Sequence, residues 1–451
     1  MGKNNRYYFE TAPVGRAIAH FSVPTMTGML VLILYNLVDT FFIGLLEDYN
    51  MLAGVALAMP LFTINMGIGV FFGTGCGSYI SRLLGKKDSE GVRRTSAYAF
   101  YGCLAVGAIG TVAGFALLEP ILKVLGASGE TLAPTRQYAS ILIGGSIPCI
   151  LSYAMGQIVR AEGAARASMT GSIIGTVSNI ILDPICIFLL GWGVAGAAIA
   201  TVGANCLAVG YYLHYQLRKS ESLSVRPRDF TWDKEIFRAT SAIGLPVFLL
   251  ELIALATSLT LNNIAAGYGA VYVAIYGVIF KLGMLPKALS NGLCQGVQPL
   301  MGYTYAAKKA DRLKETVRRT GLYGTGIATV FAVLLFAAGG HGLRLFNSDP
   351  AFLLAGVPLL RISLVSYLTL GVTFTATGLF QAVGKAGPSL AMSVVQGAVF
   401  IPLAWATSGL LGLQGFAWAW PAADAVAMLL GIALYVRHRR QIYAEATPAV
   451  Q

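Results

Sequence analysis

Charge is scarce in this 451-residue sequence: only 12% of the residues are Asp, Glu, Lys or Arg, whereas 56% are apolar. A soluble domain normally has about twice that charged fraction. Because so few groups can be solvated by water, lipid must cover most of the folded chain. The composition excludes a disordered chain, a collagen-like chain and a water-soluble enzyme. It predicts a polytopic, all-α membrane protein.

Residues that hold metals and nucleotides are also few. The six cysteines lie in apolar segments without a Cys-x-x-Cys pair, and the four histidines are scattered near segment ends. The run GTGCG at 73–77 lacks the Gly-Lys-Ser/Thr ending of a phosphate loop. We therefore expect no cofactor and no ATP site, so any transport would use an ion gradient.

The positively charged residues are concentrated in the loops on one side of the predicted spans. Of the 32 Lys and Arg residues, 26 fall in alternate loops on one side of the predicted spans and three on the other. By the positive-inside rule, both termini are expected in the cytoplasm of a protein of the plasma (inner) membrane, with an even number of spans. No cationic domain is present that could follow a phosphate backbone, so nucleic-acid binding is not expected.

About twelve apolar runs are long enough to cross a bilayer. They cover residues 13–46, 52–81, 94–118, 133–159, 164–190, 194–217, 238–266, 272–303, 316–338, 351–382, 387–409 and 414–436. Several exceed the ~20 residues that a span requires, which predicts tilts, kinks or cytoplasmic extensions.

The chain also repeats itself. Pro24 is as far from Pro246 as Lys86-Lys87 is from Lys308-Lys309, and each lysine pair precedes a Val-Arg-Arg-Thr. GQIVRAEGAARAS at 156–168 resembles GLFQAVGKAGPS at 378–389, and GVAG at 193–196 resembles GLQG at 412–415. We expect an N-lobe at 1–217, a cytoplasmic linker at 218–237, a C-lobe at 238–440 and a tail at 441–451.

The repeat constrains the topology. Each half has six spans, so both lobes point the same way and are related by a pseudo-two-fold axis along the membrane normal. This is the parallel-repeat plan of secondary transporters, in which the substrate binds between the halves. A duplicated scaffold without transport and a channel, which needs no counter-ion, are the alternatives.

Four acids lie inside apolar spans, where an ionisable group is costly and is a functional candidate by default. They are Asp39, Asp183, Glu251 and Asp424. Asp39 and Asp183 are expected at similar depth in the outer half of the N-lobe, with Asn179 on the same helix face as Asp183. Two such carboxylates suit coupling to H⁺ or Na⁺, because both cannot stay ionised side by side without a cation. The alternative is that each only hydrogen-bonds neighbouring helices.

The second half differs. Glu251 stands where the repeat has Met29, so it is not a duplicated feature. It is a candidate for coupling or substrate binding, the alternative being a local pair with Lys281 or Arg361. Gln295 and Gln298 are further candidates for a polar interior of the C-lobe.

Taken together, these motifs resemble those of the multidrug and toxic compound extrusion (MATE) transporters. The resemblance rests on Pro24, VDTFFIG at 38–44, the GKK and AKK loops, SNIILDP at 178–184, GVAGAAIAT at 193–201 and Gln298-Pro299. It implies two six-helix lobes around a cleft and exchange of an organic, often cationic, substrate for H⁺ or Na⁺.

The resemblance also implies which residues couple. It places a cation site, for H⁺ or Na⁺, at Asp39, Asn179, Asp183 and Thr201, a pattern more DinF-like than NorM-like. NorM-type members have a C-lobe acid pair, and here Glu251 matches one member, but the tenth run at 351–382 has no Asp or Glu. Coupling through the N-lobe is therefore favoured.

The expected mechanism is rocker-switch alternation. Loading of the N-lobe acids would bend the first helix at Pro24 and expel a cationic or amphipathic compound from a cleft lined by Tyr35, Tyr153 and Tyr276. The expected partners are that substrate and membrane lipid, with a monomer as the functional unit. The main alternative is a lipid-linked saccharide or precursor flippase of the same superfamily, although the chain has few cavity cations to hold a pyrophosphate. A major-facilitator transporter is disfavoured because its Gly-x-x-x-Asp-Arg loop is absent.

Overall fold

The apolar runs fold as long helices. The computed structural model describes residues 3–44, 49–344, 346 and 349–448, and no strand occurs among them. The α-helices are α1 Lys3–Glu10, α2 Val14–Gly44, α3 Tyr49–Lys86, α4 Ser89–Ala116, α5 Leu118–Val124, α6 Leu132–Gly144, α7 Ser146–Ala161, α8 Ala165–Pro184, α9 Gly193–Arg218, α10 Lys234–Tyr268, α11 Ala270–Ala306, α12 Ala310–Ala338, α13 Gly340–Arg344, α14 Pro350–Leu364, α15 Tyr367–Val383, α16 Ala386–Ala398 and α17 Phe400–Glu445. A π-helical turn covers Ile185–Leu189, and 3₁₀ turns cover Gly129–Thr131 and Pro227–Asp229.

The number of spans agrees with the sequence once two breaks are resolved. In the described residues ten helical segments are long and apolar enough to cross a membrane, and a pair bent by 56°, Gly129–Gly144 with Ser146–Ala161, makes eleven. The last segment, Ala386–Glu445, has 60 residues but contains Gly412 at φ 60°, ψ −144°. No helix passes through that conformation, so this segment supplies two spans and the total is twelve. The predicted all-α fold is confirmed.

The chain divides by its contacts into two compact units. Unit 1 contains Met1–Tyr7 and Thr27–Phe248, and unit 2 contains Tyr8–Met26 and Leu249–Gln451. The chain thus changes unit within α1 and then at two equivalent points of the repeat, within α2 and within α10. Each point lies just after a helix proline, Pro24 or Pro246. The lobe boundaries predicted from the sequence stay a prediction.

The beginning of α2 belongs to unit 2 because of an arginine and an aromatic cluster. The Arg312 guanidinium donates to the carbonyl oxygens of Tyr8, Phe9 and Ala12 at 2.8, 3.0 and 2.6 Å. The Phe9 ring is fully buried, 4.7 Å from the ring centroid of Tyr303. Arg312 therefore satisfies the carbonyl groups that the end of α1 leaves free.

In unit 1 the first turns of α10 pack closely on α3. A Cβ on Gly75 would lie 2.5 Å from the Thr240 carbonyl oxygen, and one on Gly244 would lie 2.5 Å from that of Phe71. The Cys76 thiol and the Thr240 hydroxyl are 3.2 Å apart. Glycine is required at both positions because the backbones approach within contact distance.

The internal repeat is visible in the backbone. α3 is followed by Lys87 at φ 62°, and α11 is followed by Lys308 at φ 59°, the two positive-φ residues other than glycine in the described chain. In each turn two N–H groups bond back to the helix end, Lys87 to Leu84 and Asp88 to Leu83 in the first. This is the Schellman arrangement, and it recurs at Gly163 and Gly384. The two pairs of turns have the same spacing along the chain.

The segment predicted as a linker is anchored to unit 1. The Ser96 hydroxyl bonds both the N–H and the carbonyl of Ser224, at 2.8 and 3.0 Å. Glu162, in the turn between α7 and α8, is buried and accepts hydrogen bonds from Ser220 at 2.8 Å and from Tyr215 at 3.3 Å. Burial raises the pKa of the Glu162 carboxyl, and the two hydroxyls partly offset this.

Candidate functional site

Three of the four predicted coupling residues meet inside unit 1. Asn179 and Asp183 are one turn apart on α8, and Thr201 lies on α9. All three are buried, and Asp183 is fully inaccessible to solvent. An isolated charge there would be unstable, so the carboxylate needs polar partners or a cation.

Asn179 connects the two helices. With its amide nitrogen towards Asp183, it donates to Oδ2 at 3.0 Å while its oxygen accepts from the Thr201 N–H at 3.2 Å. The opposite orientation gives only a 3.4 Å contact to Oδ1. We adopt the first because it satisfies both groups. The Thr201 carbonyl in turn accepts from the Asn205 amide at 2.8 Å.

After Asp183 the helix widens from an α-helical to a π-helical turn. Pro184 has no N–H to donate, and the next residues form the π-helical turn, in which the Leu190 N–H bonds the Ile185 carbonyl at 2.9 Å. Single π turns within helices are frequent at functional sites. This turn was not foreseen from the sequence, although the proline that follows the acid was a signal for it.

A glycine sets the distance between this turn and α9. A Cβ on Gly196 would lie 2.5 Å from the Cys186 carbonyl oxygen. The first turn of α9 therefore rests directly on the π turn, which brings the Thr201 N–H to Asn179. The role of Gly196 in GVAG could not be read from the sequence, because helix glycines are common in membrane proteins.

For two predicted residues of the first half, the structure describes the backbone but not the side chain. The backbone of α2 includes Tyr35 and Asp39, but their side chains lie outside the described residues. Tyr153 on α7 is partly buried, with its ring centroid 6.3 Å from that of Phe62. Pro24, the predicted hinge, lies buried inside α2, and its role as a hinge stays a prediction. In the described part of the chain no three His, Cys, Asp or Glu side chains converge as a metal site.

The predicted residues of the second half do not form one cluster. Glu251 is partly buried on α10, while Arg361 lies over the Phe336 ring at 4.9 Å. Gln298 donates to Gln381 at 3.2 Å. Gln295 donates to Asn291 at 3.2 Å, and its own oxygen is buried without a hydrogen-bond partner among the described residues.

The last candidate of this half, Tyr276, lies in an aromatic region. Its ring packs edge-on against Phe416 at 5.0 Å, and its buried hydroxyl has no hydrogen-bond partner among the described residues.

An all-helical membrane chain with two repeated units and a buried amide–carboxylate pair in one of them has the architecture of a membrane transporter. The chain belongs to the MatE family, whose model matches it twice, at residues 24–185 and 246–406. Both matches begin at a helix proline. They correspond to the internal repeat.

Known proteins resemble the chain over its whole length. Multidrug export protein MepA of Staphylococcus aureus (strain N315) is 35% identical over 451 residues, with 100% of each chain covered. Multidrug export protein MepA of Staphylococcus saprophyticus is 35% identical over 429 residues, 95% of each. A multidrug resistance MATE family transporter of the MOP superfamily, solved in an outward-facing conformation, has a TM-score of 0.91 at 23% identity over 99% of each chain. The last likeness concerns the fold.

Proposed function

We propose that this protein is a secondary antiporter that exports organic, cationic or amphipathic compounds across the plasma (inner) membrane in exchange for H⁺ or Na⁺. Both termini would lie in the cytoplasm, and the functional unit would be a monomer of the DinF-like branch. The observation that carries the proposal is the buried Asn179–Asp183–Thr201 cluster in a chain whose relatives are named multidrug export proteins. The flippase alternative is not favoured by these relatives.

Coupling would begin at this cluster. Protonation of Asp183, or binding of a cation between Asp39 and Asp183, changes what the carboxylate can accept from Asn179. The change reaches α9 through the Thr201 N–H, and α2 bends at Pro24, where the ladder of helix hydrogen bonds already lacks a donor. The cleft then opens outwards and the bound compound leaves.

The two coupling ions make different demands on Asn179. Protonating Asp183 leaves the amide where it is. Binding Na⁺ requires oxygen ligands, so the amide must turn and give up the Thr201 N–H. The cluster is therefore a place where the two ions can be distinguished by experiment.

The test is efflux of a fluorescent organic cation from liposomes that contain the purified protein, with a pH gradient and a Na⁺ gradient imposed separately. Efflux driven by one gradient, absent in Asp39→Asn and present in Asp311→Asn, is the expected result and names the ion. Asp311 is a matched control because it is exposed at the start of α12. Efflux that needs neither gradient would indicate a channel. No efflux under either would overturn the proposal and call for a flippase assay.

A further inference from the structure

Unit 2 contains a small cavity whose lining includes one predicted site residue, Tyr276. Its volume is about 40 Å³, and its lining includes Tyr276, Tyr367, Phe400, Trp420 and one charged residue, Lys287. That volume suits a small polar group and is far below what a drug-sized compound needs. The cavity is therefore not a substrate pocket for a multidrug exporter.

Lys287 is held far from either end of its helix. It lies near the middle of α11, roughly 26–29 Å from the first and last residues. A lysine side chain cannot reach either end, so its charge must be compensated in place. The ammonium nitrogen lies 4.4 Å from the centroid of the Trp420 ring, a cation–π arrangement. The second compensating group is Asp424, which lies one turn after Trp420 on α17, a helix that packs against α11.

Buried oxygen atoms of this part of unit 2 can accept hydrogen bonds. Oδ2 of Asp424 and the Tyr276 hydroxyl are buried without a hydrogen-bond partner in the described part of the chain. Tyr276 lines the cavity together with Lys287. A primary ammonium has three donors and no acceptor, which complements this set of oxygens.

The internal repeat shows which residues of unit 1 correspond to residues that line the cavity. Aligning the two helix prolines takes Asp39 of unit 1 to Leu261 of unit 2. Aligning GQIVRAEGAARAS with GLFQAVGKAGPS at their final serines takes Asn179 to Phe400. Aligning GVAG with GLQG takes Thr201 to Trp420. The three unit 2 residues all line the cavity.

The structure supports the alignment of GVAG with GLQG. A Cβ on Gly196 would meet the Cys186 carbonyl oxygen, and a Cβ on Gly415 would overlap the carbonyl oxygen of Thr407. Each glycine lets the first turn of its helix rest on the end of the preceding one, so the two occupy equivalent places.

We propose that the Lys287 ammonium, in the wall of this cavity, is a tethered cation in a primary-ammonium site, and that this site is the counterpart in unit 2 of the cation site proposed for unit 1. The oxygen ligands of the unit 1 site are replaced by apolar and aromatic side chains, and a tethered cation replaces the exchangeable one. Asp424 and Trp420 are its binding residues. Unit 2 then remains in a cation-loaded state throughout transport. The comparison with unit 1 rests on the proposed function, whereas the unfolding test below measures binding at Lys287 without transport.

The test removes the tethered cation and supplies a free one. Lys287→Ala deletes the atoms of propylammonium, so n-propylammonium chloride is the probe. KCl is the control for added salt. Tetramethylammonium chloride is the control for a cation that has no N–H donors. The full-length protein in detergent is heated, and its apparent unfolding temperature is measured. Lys287→Ala should unfold at a lower temperature than the wild type, and n-propylammonium alone should raise it by about 2–4 °C.

Matched variants decide the outcome. Lys281→Ala removes an exposed lysine from the same helix and should not respond. Equal responses of Lys281→Ala and Lys287→Ala, or no response of either, would overturn the proposal. If Lys287→Ala does not fold, Lys287→Met keeps the length of the side chain. Asp424→Asn should then lower the unfolding temperature less in the Lys287→Met background than in the wild type, and equal losses in both backgrounds would contradict the paired charges.

Discussion

The two units share a backbone plan but differ in the chemistry of equivalent positions. Both have Schellman turns at matching places, and both use a glycine to seat one helix on the end of another. At the positions equivalent to Asp39, Asn179 and Thr201 of unit 1, however, unit 2 has Leu261, Phe400 and Trp420. The comparison teaches that close backbone contacts were retained after duplication because no side chain fits there, whereas polar residues inside the lobes were free to change.

The sharpest way to break this comparison is to neutralise one acid in each unit. Asp183→Asn keeps a hydrogen-bonding side chain beside Asn179 but cannot change its charge, so we expect it to fold and to lose exchange. Asp424→Asn leaves Lys287 uncompensated, so we expect a lower unfolding temperature but continued exchange per folded molecule. Efflux assays normalised to folded protein check both. Wild-type exchange by Asp183→Asn would refute the coupling role.

The next largest effect is expected at Gly196, whose lack of a side chain lets the first turn of α9 contact the π turn. Gly196→Ala places a Cβ 2.5 Å from the Cys186 carbonyl oxygen, so the helix must shift. We expect a loss of about 1–3 kcal/mol of stability and a larger loss of exchange, because the Thr201 N–H moves away from Asn179.

Gly210→Ala is the matched control for that variant. It lies on the same helix with nothing within 4 Å of its added Cβ, and should raise stability by up to about 1 kcal/mol. Thermal unfolding of both variants checks this. A Gly196→Ala protein as stable as Gly210→Ala would show that the contact is not required.

A smaller effect concerns Glu162, for which the described second half shows no equivalent acid, since Val383 stands at the matching place. Because burial raises the pKa of this carboxyl, the folded state is stabilised by protonation, and that contribution is lost as the pH rises through the raised pKa. The wild type should therefore lose stability from the ordinary Glu value upwards. Glu162→Gln should lack this part of the dependence, as measured by unfolding temperature against pH. Parallel curves would contradict it.

The smallest effects test whether the repeated turns are equivalent. Lys87 and Lys308 adopt a left-handed conformation that costs a non-glycine residue about 1–2 kcal/mol. Lys87→Gly and Lys308→Gly should each raise the unfolding temperature by similar amounts. Lys86→Gly, in the last helical residue of α3, should lower it. A rise in only one of the two turns would show that they differ in energy.

The sequence contained most of the fold because length and hydropathy define membrane spans directly. Twelve runs, the repeat and the pairing of Asn179 with Asp183 all follow from spacing. The gap between the predicted runs 387–409 and 414–436 contains Gly412, where the helix breaks. The π-helical turn after Asp183 was harder, because an apolar run does not show where its hydrogen-bond pattern changes.

The polar interior of unit 2 was the hardest part to predict. Lys287 and Asp424 are far apart in the chain and match no motif, so their proximity depends on the packing of α11 against α17. Trp420 was equally hard to predict, because its ring contacts the Lys287 ammonium only through the packing of these two helices. Sequence periodicity shows which face of a helix is apolar, but it does not show which helices pack against that face.

The exchange of helix segments between the units has a consequence for synthesis. Residues 8–26 are made early, but Arg312, which binds three of their carbonyl groups, follows about 300 residues later in the chain. At about 5–20 residues per second, that delay is roughly 15–60 s. During this time the contacts of residues 8–26 with Tyr303 and Arg312 cannot form, whereas residues 27–248 of unit 1 can pack as soon as residue 248 has emerged. A segment made early is thus among the last to be placed.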